Sequence, residues 1–197
     1  KKRLRTENIE NYLLHNPDDM NNEDIIKCLI RLKKENNVKN IGVSTYTKEQ
    51  VKKFLEIPEL DVIEIPFNIF DTKLSKNKLL EEISNERKTI FARSVFLQGL
   101  FFLKPNELSP QLNLAREYLQ ELHNISDEFK ISITRLALTF VRDFEEINSL
   151  VIGVNNVNQI RMNLELMNSE KLDDKLKERI FEKFSDIPEK IINPSKW

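Results

Sequence analysis

The sequence predicts an α/β fold built from successive βα units, on three observations. Short apolar runs alternate with helical periodicities, no Pro/Gly/Ser-rich linker or low-complexity tract interrupts them, and polar residues follow each run at once. Such alternation implies parallel strands, helices outside, and the strand C-termini gathered at one face. The 197 residues suffice for one good-sized core. Five strands suit an open doubly wound sheet, whereas a βα-barrel needs eight and typically about 250 residues. The alternation alone leaves both architectures open.

The elements follow in order. Ile9–Leu14 is a strand emptying into the turn His15-Asn16-Pro17. Asn22 caps a helix whose first turn holds Glu23 and Asp24, whose apolar face repeats at Ile25, Cys28, Leu29 and Leu32, and whose negative end carries Lys33 and Lys34. Val38–Ser44 is the second strand. Thr47-x-x-Gln50 is a capping box that opens a helix to Leu55. Val62–Phe67 is the third strand, Lys76–Ser84 a helix, and Thr89–Val95 the fourth strand. Phe101–Pro110 reads as a loop and Leu112–His123 as an additional helix. Ser132 precedes a helix carrying Ile133, Leu136, Ala137, Phe140 and Val141. Leu150–Val154 is the fifth strand, and Asn156-x-x-Gln159 caps a helix with Ile160, Leu164 and Met167. A charged amphipathic helix, Leu172–Phe184, precedes the tail Ile187–Trp197.

Composition excludes several classes. Thirty-one Lys and Arg against 32 Asp and Glu leave a net charge of −1, without the basic stripe of a nucleic-acid binder. No apolar run approaches the roughly 20 residues of a membrane helix. The single cysteine, Cys28, excludes an internal disulfide framework, fits a reducing, cytoplasmic setting, and is expected as a core thiol. One cysteine and two separated histidines give no zinc signature, so no metal is expected. Three glycines, Gly42, Gly99 and Gly153, cannot write a glycine-rich phosphate loop. The chain opens on Lys1 and its first methionine is Met20, so it reads as the remainder of something longer.

The residues just after the strands are His15, Ser44-Thr45, Phe67-Asn68, Arg93-Ser94 and Asn155-Asn156, a polar set with one histidine. Function in βα-barrels sits there, yet strand ends are polar in most α/β proteins. On the plainer reading Gly153 only ends a strand and Asn156 only caps a helix. His123, late in a charged helix, is expected to face solvent.

Read together, five segments resemble the aldo-keto reductase family. Arg3-Leu4-x5-Ile9-x2-Tyr12-Leu13-Leu14-His15-x-Pro17 is similar to its fourth-strand region, and Ile41-Gly42-Val43-Ser44 to its fifth strand. Val62-Ile63-Glu64-x2-Phe67-Asn68 is similar to the sixth, usually Gln-x-x-Tyr-Asn. Ala92-Arg93-Ser94-x-Phe96-x-Gln98-Gly99-Leu100 is similar to the seventh, commonly Ala-Tyr-Ser-x-Leu-x-Gln-Gly-Leu. Gly153-Val154-x3-Asn158-Gln159-Ile160-x2-Asn163 resembles the eighth strand and its nucleotide-binding helix. Each motif is weak alone; five in the right order are strong.

The resemblance implies a (β/α)8 TIM-type barrel of which residues 1–197 form the C-terminal part of a single domain, strands four to eight. It implies hydride transfer between NAD or NADP and a small aldehyde or ketone. Of the family's Asp, Tyr, Lys and His tetrad, only His15 falls on this chain, to orient the carbonyl from a neutral imidazole; the chain alone is expected to be inactive. Ser44 matches the hydroxyl that holds the nicotinamide carboxamide. Glu64 stands where a Gln normally pairs with that group, and a carboxylate accepts but cannot donate. Arg93 replaces the aromatic ring that stacks on the nicotinamide. Ser94, Phe96, Gln98 and Gly99 match the loop around the pyrophosphate. Around the adenosine, Gly153, Val154 and Gln159 stand where many relatives place Lys, Ser and Arg for a 2′-phosphate, with Asn155 beside them and Asn163 kept for the adenine. The lost cations favour NAD. The departures at Glu64 and Arg93 keep open a non-catalytic relative that binds nucleotide or protein through the same barrel.

Overall fold

The computed structural model describes residues 5–197. Arg3 and Leu4, which open the first family-like segment, lie outside the described residues. Five strands lie in one sheet in chain order: β1 (Ile9–Leu14), β2 (Val38–Ser44), β3 (Val62–Pro66), β4 (Thr89–Arg93) and β5 (Ser149–Val151). β1 and β3 both pair with β2 in parallel. Strictly sequential order is the order of a barrel; a doubly wound sheet reverses direction at a switch point.

The chain forms two compact units. One holds the described residues up to Pro66 with Lys73–Ala92 and Glu146–Ser149; the other holds Phe67–Thr72, Arg93–Glu145 and Leu150–Trp197.

In the first unit, Ile41, Val43, Ile63 and Ile65 of β2 and β3 are fully buried, as are Val51, Phe54, Leu80 and Ile83 of the helices. Continuous burial explains why these strands read as apolar runs and do not alternate. Gly42 lies opposite Val62, whose carbonyl oxygen an added Cβ would strike, so the β2–β3 spacing itself demands glycine. Asn22 accepts from the backbone N–H groups of Asp24 and Ile25 at the start of α1 (Glu23–Lys34). Thr47 and Gln50 form the expected capping box of α2 (Lys48–Leu55).

Cys28 corrects the sequence reading: it is exposed. Leu29 is the buried residue of α1, flanked on its face by half-buried Ile25, Ile26, Leu32 and Lys33. Centred on Leu29, that face leaves Cys28 about 100° away. The helix expected at Lys76–Ser84 is also different. It is two pieces, α3 (Lys73–Lys76) and α4 (Leu79–Asn85), separated where Lys78 adopts a left-handed conformation, φ 57°.

The second unit packs around phenylalanines. Phe67 meets Phe144 edge-on at 4.8 Å, and Phe70 meets Phe101 at 4.9 Å and Phe184 at 4.9 Å. Each buried ring contributes about 1.5–3 kcal/mol of transfer free energy. After β4 the expected loop and helix become three 3₁₀ segments, Leu97–Phe102, Pro105–Glu107 and Pro110–Ala115, before α5 (Arg116–Glu128). Prolines at the first positions of the last two segments pre-set their φ for the first turn. Ser132 caps α6 (Ile133–Arg142) and Asn156 caps α7 (Val157–Met167), as expected. Strand β5 stops at Val151, short of the expected Val154. α8 (Asp174–Lys183) and α9 (Glu189–Ile192) follow. Within the tail, Trp197 donates Nε1 to the carbonyls of Lys190 and Ile191.

Candidate functional site

In the first unit the strand ends bring three candidate residues to one edge of the sheet. Leu14 is paired with Val43, so His15 and Ser44 are the next residues of two adjacent strands. His15 is exposed and Ser44 is buried. Ser44 is paired in turn with Glu64. Its hydroxyl donates to Glu64 Oε1 at 2.8 Å. Thr45, fully buried, donates its backbone N–H to the Glu64 carbonyl at 2.8 Å and its hydroxyl to the same oxygen at 3.3 Å. The end of β2 is thereby fastened to β3 by backbone and side chain together.

In the second unit Arg93 donates to Ser94 Oγ at 3.3 Å. Strand β4 stops at Arg93 and not at the expected Val95, because Ser94 turns to φ 61°. A run of three positive φ values follows at Leu97 (45°), Gln98 (51°) and Gly99 (87°). Leu97 donates its N–H to the Ser94 carbonyl and Gly99 to the Phe96 carbonyl, each at 2.8 Å, so the segment closes into consecutive tight turns. Phe96 leans on Phe102 at 5.5 Å, and Phe102 is exposed. Phe101 beside it is fully buried.

At the start of α7, Asn156 accepts from the Gln159 N–H at 3.0 Å, and Gln159 Oε1 accepts from the Asn155 N–H at 2.7 Å. Gly153, Asn155 and Gln159 are exposed and Asn163 is half-buried. A Cβ added at Gly153 would meet open space, so no neighbouring group explains that glycine. The other histidine departs from expectation: His123 is half-buried, with Nε2 3.1 Å from the Phe101 carbonyl.

One strand-end residue named from the sequence was given no role there. Asn68, fully buried just after β3, accepts through Oδ1 from the N–H groups of Phe70 and Asp71, while its Nδ2 donor has no partner among the described residues. Its place beside a strand end was the available signal. No group of three or more His, Cys, Asp or Glu among the described residues is arranged to hold a metal, and no described helix is long and apolar enough to cross a membrane.

This sheet order has counterparts in known proteins. The model of the aldo/keto reductase family matches residues 1–183, and the chain belongs to that family. It is 22% identical to the uncharacterized oxidoreductase YqkF of Bacillus subtilis over 182 residues, 87% of this chain and 59% of that protein. It is 29% identical to the aldo-keto reductase YhdN of the same organism over 107 residues, 54% of this chain and 32% of that one. The chain therefore spans about three fifths, at most, of the curated relatives it matches. Its fold is similar to the aldo-keto reductase AKR11C1 of Bacillus halodurans, with a TM-score of 0.77 at 18% identity over 98% of this chain and 68% of that one. It is also similar to the glycerol dehydrogenase AKR11B4 of Gluconobacter oxydans, with a TM-score of 0.68 at 20% identity over 98% of this chain and 62% of that one.

Proposed function

We propose that this chain is the strand-four-to-strand-eight part of an aldo-keto reductase barrel that reduces or oxidises a small carbonyl compound with a nicotinamide dinucleotide. The observation that carries the reading is the register of β1 on β2, which sets exposed His15 beside Ser44 at one edge of the sheet, with Glu64 hydrogen-bonded to Ser44. Apolar side chains left open on β1, β5 and α7, including Tyr12, Val151, Val157, Ile160 and Leu164, support a barrel completed by further strands.

The residues fit the nicotinamide end of such a cofactor in donor chemistry. A carboxamide NH2 finds its acceptor in Glu64, and its carbonyl finds a donor in Ser44 once that hydroxyl turns from Glu64. When bound, the cofactor supplies or takes the hydride. His15 as a neutral imidazole donates a hydrogen bond to the substrate carbonyl, orients it, and stabilises the charge that develops on oxygen. The tight turns from Ser94 to Gly99 would wrap the pyrophosphate, held in shape by the Leu97 and Gly99 N–H groups donated to the Ser94 and Phe96 carbonyls. Asn155, Gln159 and Asn163 on and before α7 hold the adenosine. The proton donor, a Tyr with its Asp and Lys, belongs on sequence preceding Lys1.

The test is NAD(P)H oxidation by the full-length protein with small aldehydes, wild type against His15→Ala. A loss of turnover of about 10² or more, with cofactor affinity retained, is expected. No oxidation with any small aldehyde, or turnover indifferent to the substitution, points to a non-catalytic binding barrel.

A further inference from the structure

Helix α7 carries two of the residues assigned above to the dinucleotide, Gln159 and Asn163, yet its own side chains are little buried among the described residues. None of its 11 residues is buried, and Val157, Ile160, Met162 and Leu164 are all exposed. Most helices in proteins are held by burial of one face. Whatever covers that face in the complete barrel, the C-terminal end of α7 is clamped from within this chain.

Arg142, the last residue of α6, places its guanidinium at the C-terminus of α7, where the final carbonyls lack partners within the helix. Nη1 donates to the Leu166 carbonyl at 2.6 Å and the Ser169 carbonyl at 2.9 Å, with the Met167 carbonyl at 3.4 Å and Ser169 Oγ at 3.1 Å. Nη2 donates to the Glu170 carbonyl at 3.1 Å. A cation at this end also meets the negative pole of the helix dipole.

Arg142 is itself fixed. Asp143 Oδ1 accepts from Nε at 2.9 Å and from Nη2 at 2.6 Å, and its other oxygen accepts from the Leu172 N–H at 2.7 Å. The Asp143 side chain is 2% exposed and that of Arg142 12%, so the pair works away from bulk water. Lys177 stands 3.8 Å from the same carboxylate. Behind them the run Leu136–Val141 of α6 is buried throughout, a rigid base for the clamp.

We infer that Arg142, held by Asp143, is a positioning residue for the dinucleotide: it clamps the C-terminus of α7 and thereby sets where Gln159 and Asn163 stand. The inference rests on the cofactor reading above. Gln159 lies about 10 Å along the axis from Leu166. A tilt of the helix of about 10° displaces it by nearly 2 Å, enough to break a hydrogen bond. Lysine cannot replace the clamp, because a single ammonium does not span several carbonyls as a planar fork does.

The experiment titrates full-length wild type, Arg142→Lys, Arg142→Gln and Asp143→Asn with ADP-ribose and with reduced nicotinamide mononucleotide, alongside amide hydrogen exchange over α6 and α7. Arg142→Gln should weaken ADP-ribose about tenfold or more, leave the mononucleotide within about twofold, and speed exchange in α7 but not in α6. Arg142→Lys should fall between, and it serves if the Gln variant fails to fold. Equal weakening of both ligands, unchanged ADP-ribose affinity, or unchanged exchange in α7 overturns the inference. A wild-type protein that binds neither ligand overturns the cofactor reading and the positioning role with it, and the exchange arm then reports the clamp alone.

Discussion

Ser44 donates its hydroxyl hydrogen to the carboxylate of Glu64 across 2.8 Å, from adjacent positions of two parallel strands. The pair leaves an approaching carboxamide with an acceptor and a competed donor. That asymmetry has a direct consequence for the proposed cofactor.

Glu64→Gln should tighten nicotinamide dinucleotide binding in the full-length protein. The amide keeps an oxygen for the Ser44 hydroxyl and adds an NH2 that donates to the carboxamide oxygen. One neutral hydrogen bond contributes about 1 kcal/mol, so a gain of about fivefold is expected by fluorescence titration. Unchanged or weaker binding removes Glu64 from the nicotinamide site.

Gly42→Ala should loosen the β2–β3 pairing. An added methyl meets the Val62 carbonyl, which belongs to the sheet and cannot step aside. Forced overpacking of this kind costs about 1–3 kcal/mol. Urea denaturation reads the loss, and a variant as stable as wild type means that the strands sit further apart.

Lys88 carries a pH prediction. Its ammonium is buried and donates to the carbonyls of Ile57, Pro58 and Leu60, with the Phe54 ring 4.8 Å away. Desolvation is the largest influence and holds its pKa below the ordinary 10.5, against Asp61, Glu86 and Glu59, which raise it, while Lys33 lowers it further. Between the lowered folded value and 10.5 the unfolded chain binds the extra proton, so this group makes stability rise with pH across that window. Lys88→Met should lose about 1–3 kcal/mol at neutral pH from stranded carbonyls. The gap to wild type should then widen in alkali. A gap that narrows above pH 9 reverses the assignment.

What the sequence made legible is local. Asn22, Thr47 with Gln50, Ser132 and Asn156 all cap the helices they were read to cap, because a cap is decided within four residues of chain. The buried runs of β2 and β3 were equally plain. Cys28 was misplaced because spacing defines a helix face only to within one residue, and packing chooses Leu29 as its centre. The break at Lys78 leaves no sequence mark, since lysine has no preference for a left-handed conformation. His123 reads as solvent-facing until Phe101 arrives from 22 residues earlier to offer its carbonyl. The Arg142 clamp depends on carbonyls 24 to 28 residues away, which spacing does not reveal.

The choice between NAD(H) and NADP(H) follows from the start of α7. On the family resemblance, Gly153 and Gln159 match positions where cations would meet a 2′-phosphate; the Gln159 side chain is engaged with the Asn155 N–H and the Asn156 side chain with the helix start. No cation among these residues awaits a 2′-phosphate. Each charge-assisted hydrogen bond contributes about 1.5–3 kcal/mol, so the loss of two erases a preference of several hundredfold or more, at about 1.4 kcal/mol per tenfold. The full-length protein should therefore bind NADH at least as well as NADPH, or within a few fold. Arg161 is the nearby cation that can overturn this, exposed on α7 two residues beyond Gln159. Side-by-side titration at matched salt decides the matter. NADPH bound more than tenfold tighter defeats the expectation, and loss of that preference in Arg161→Ala identifies the guanidinium responsible.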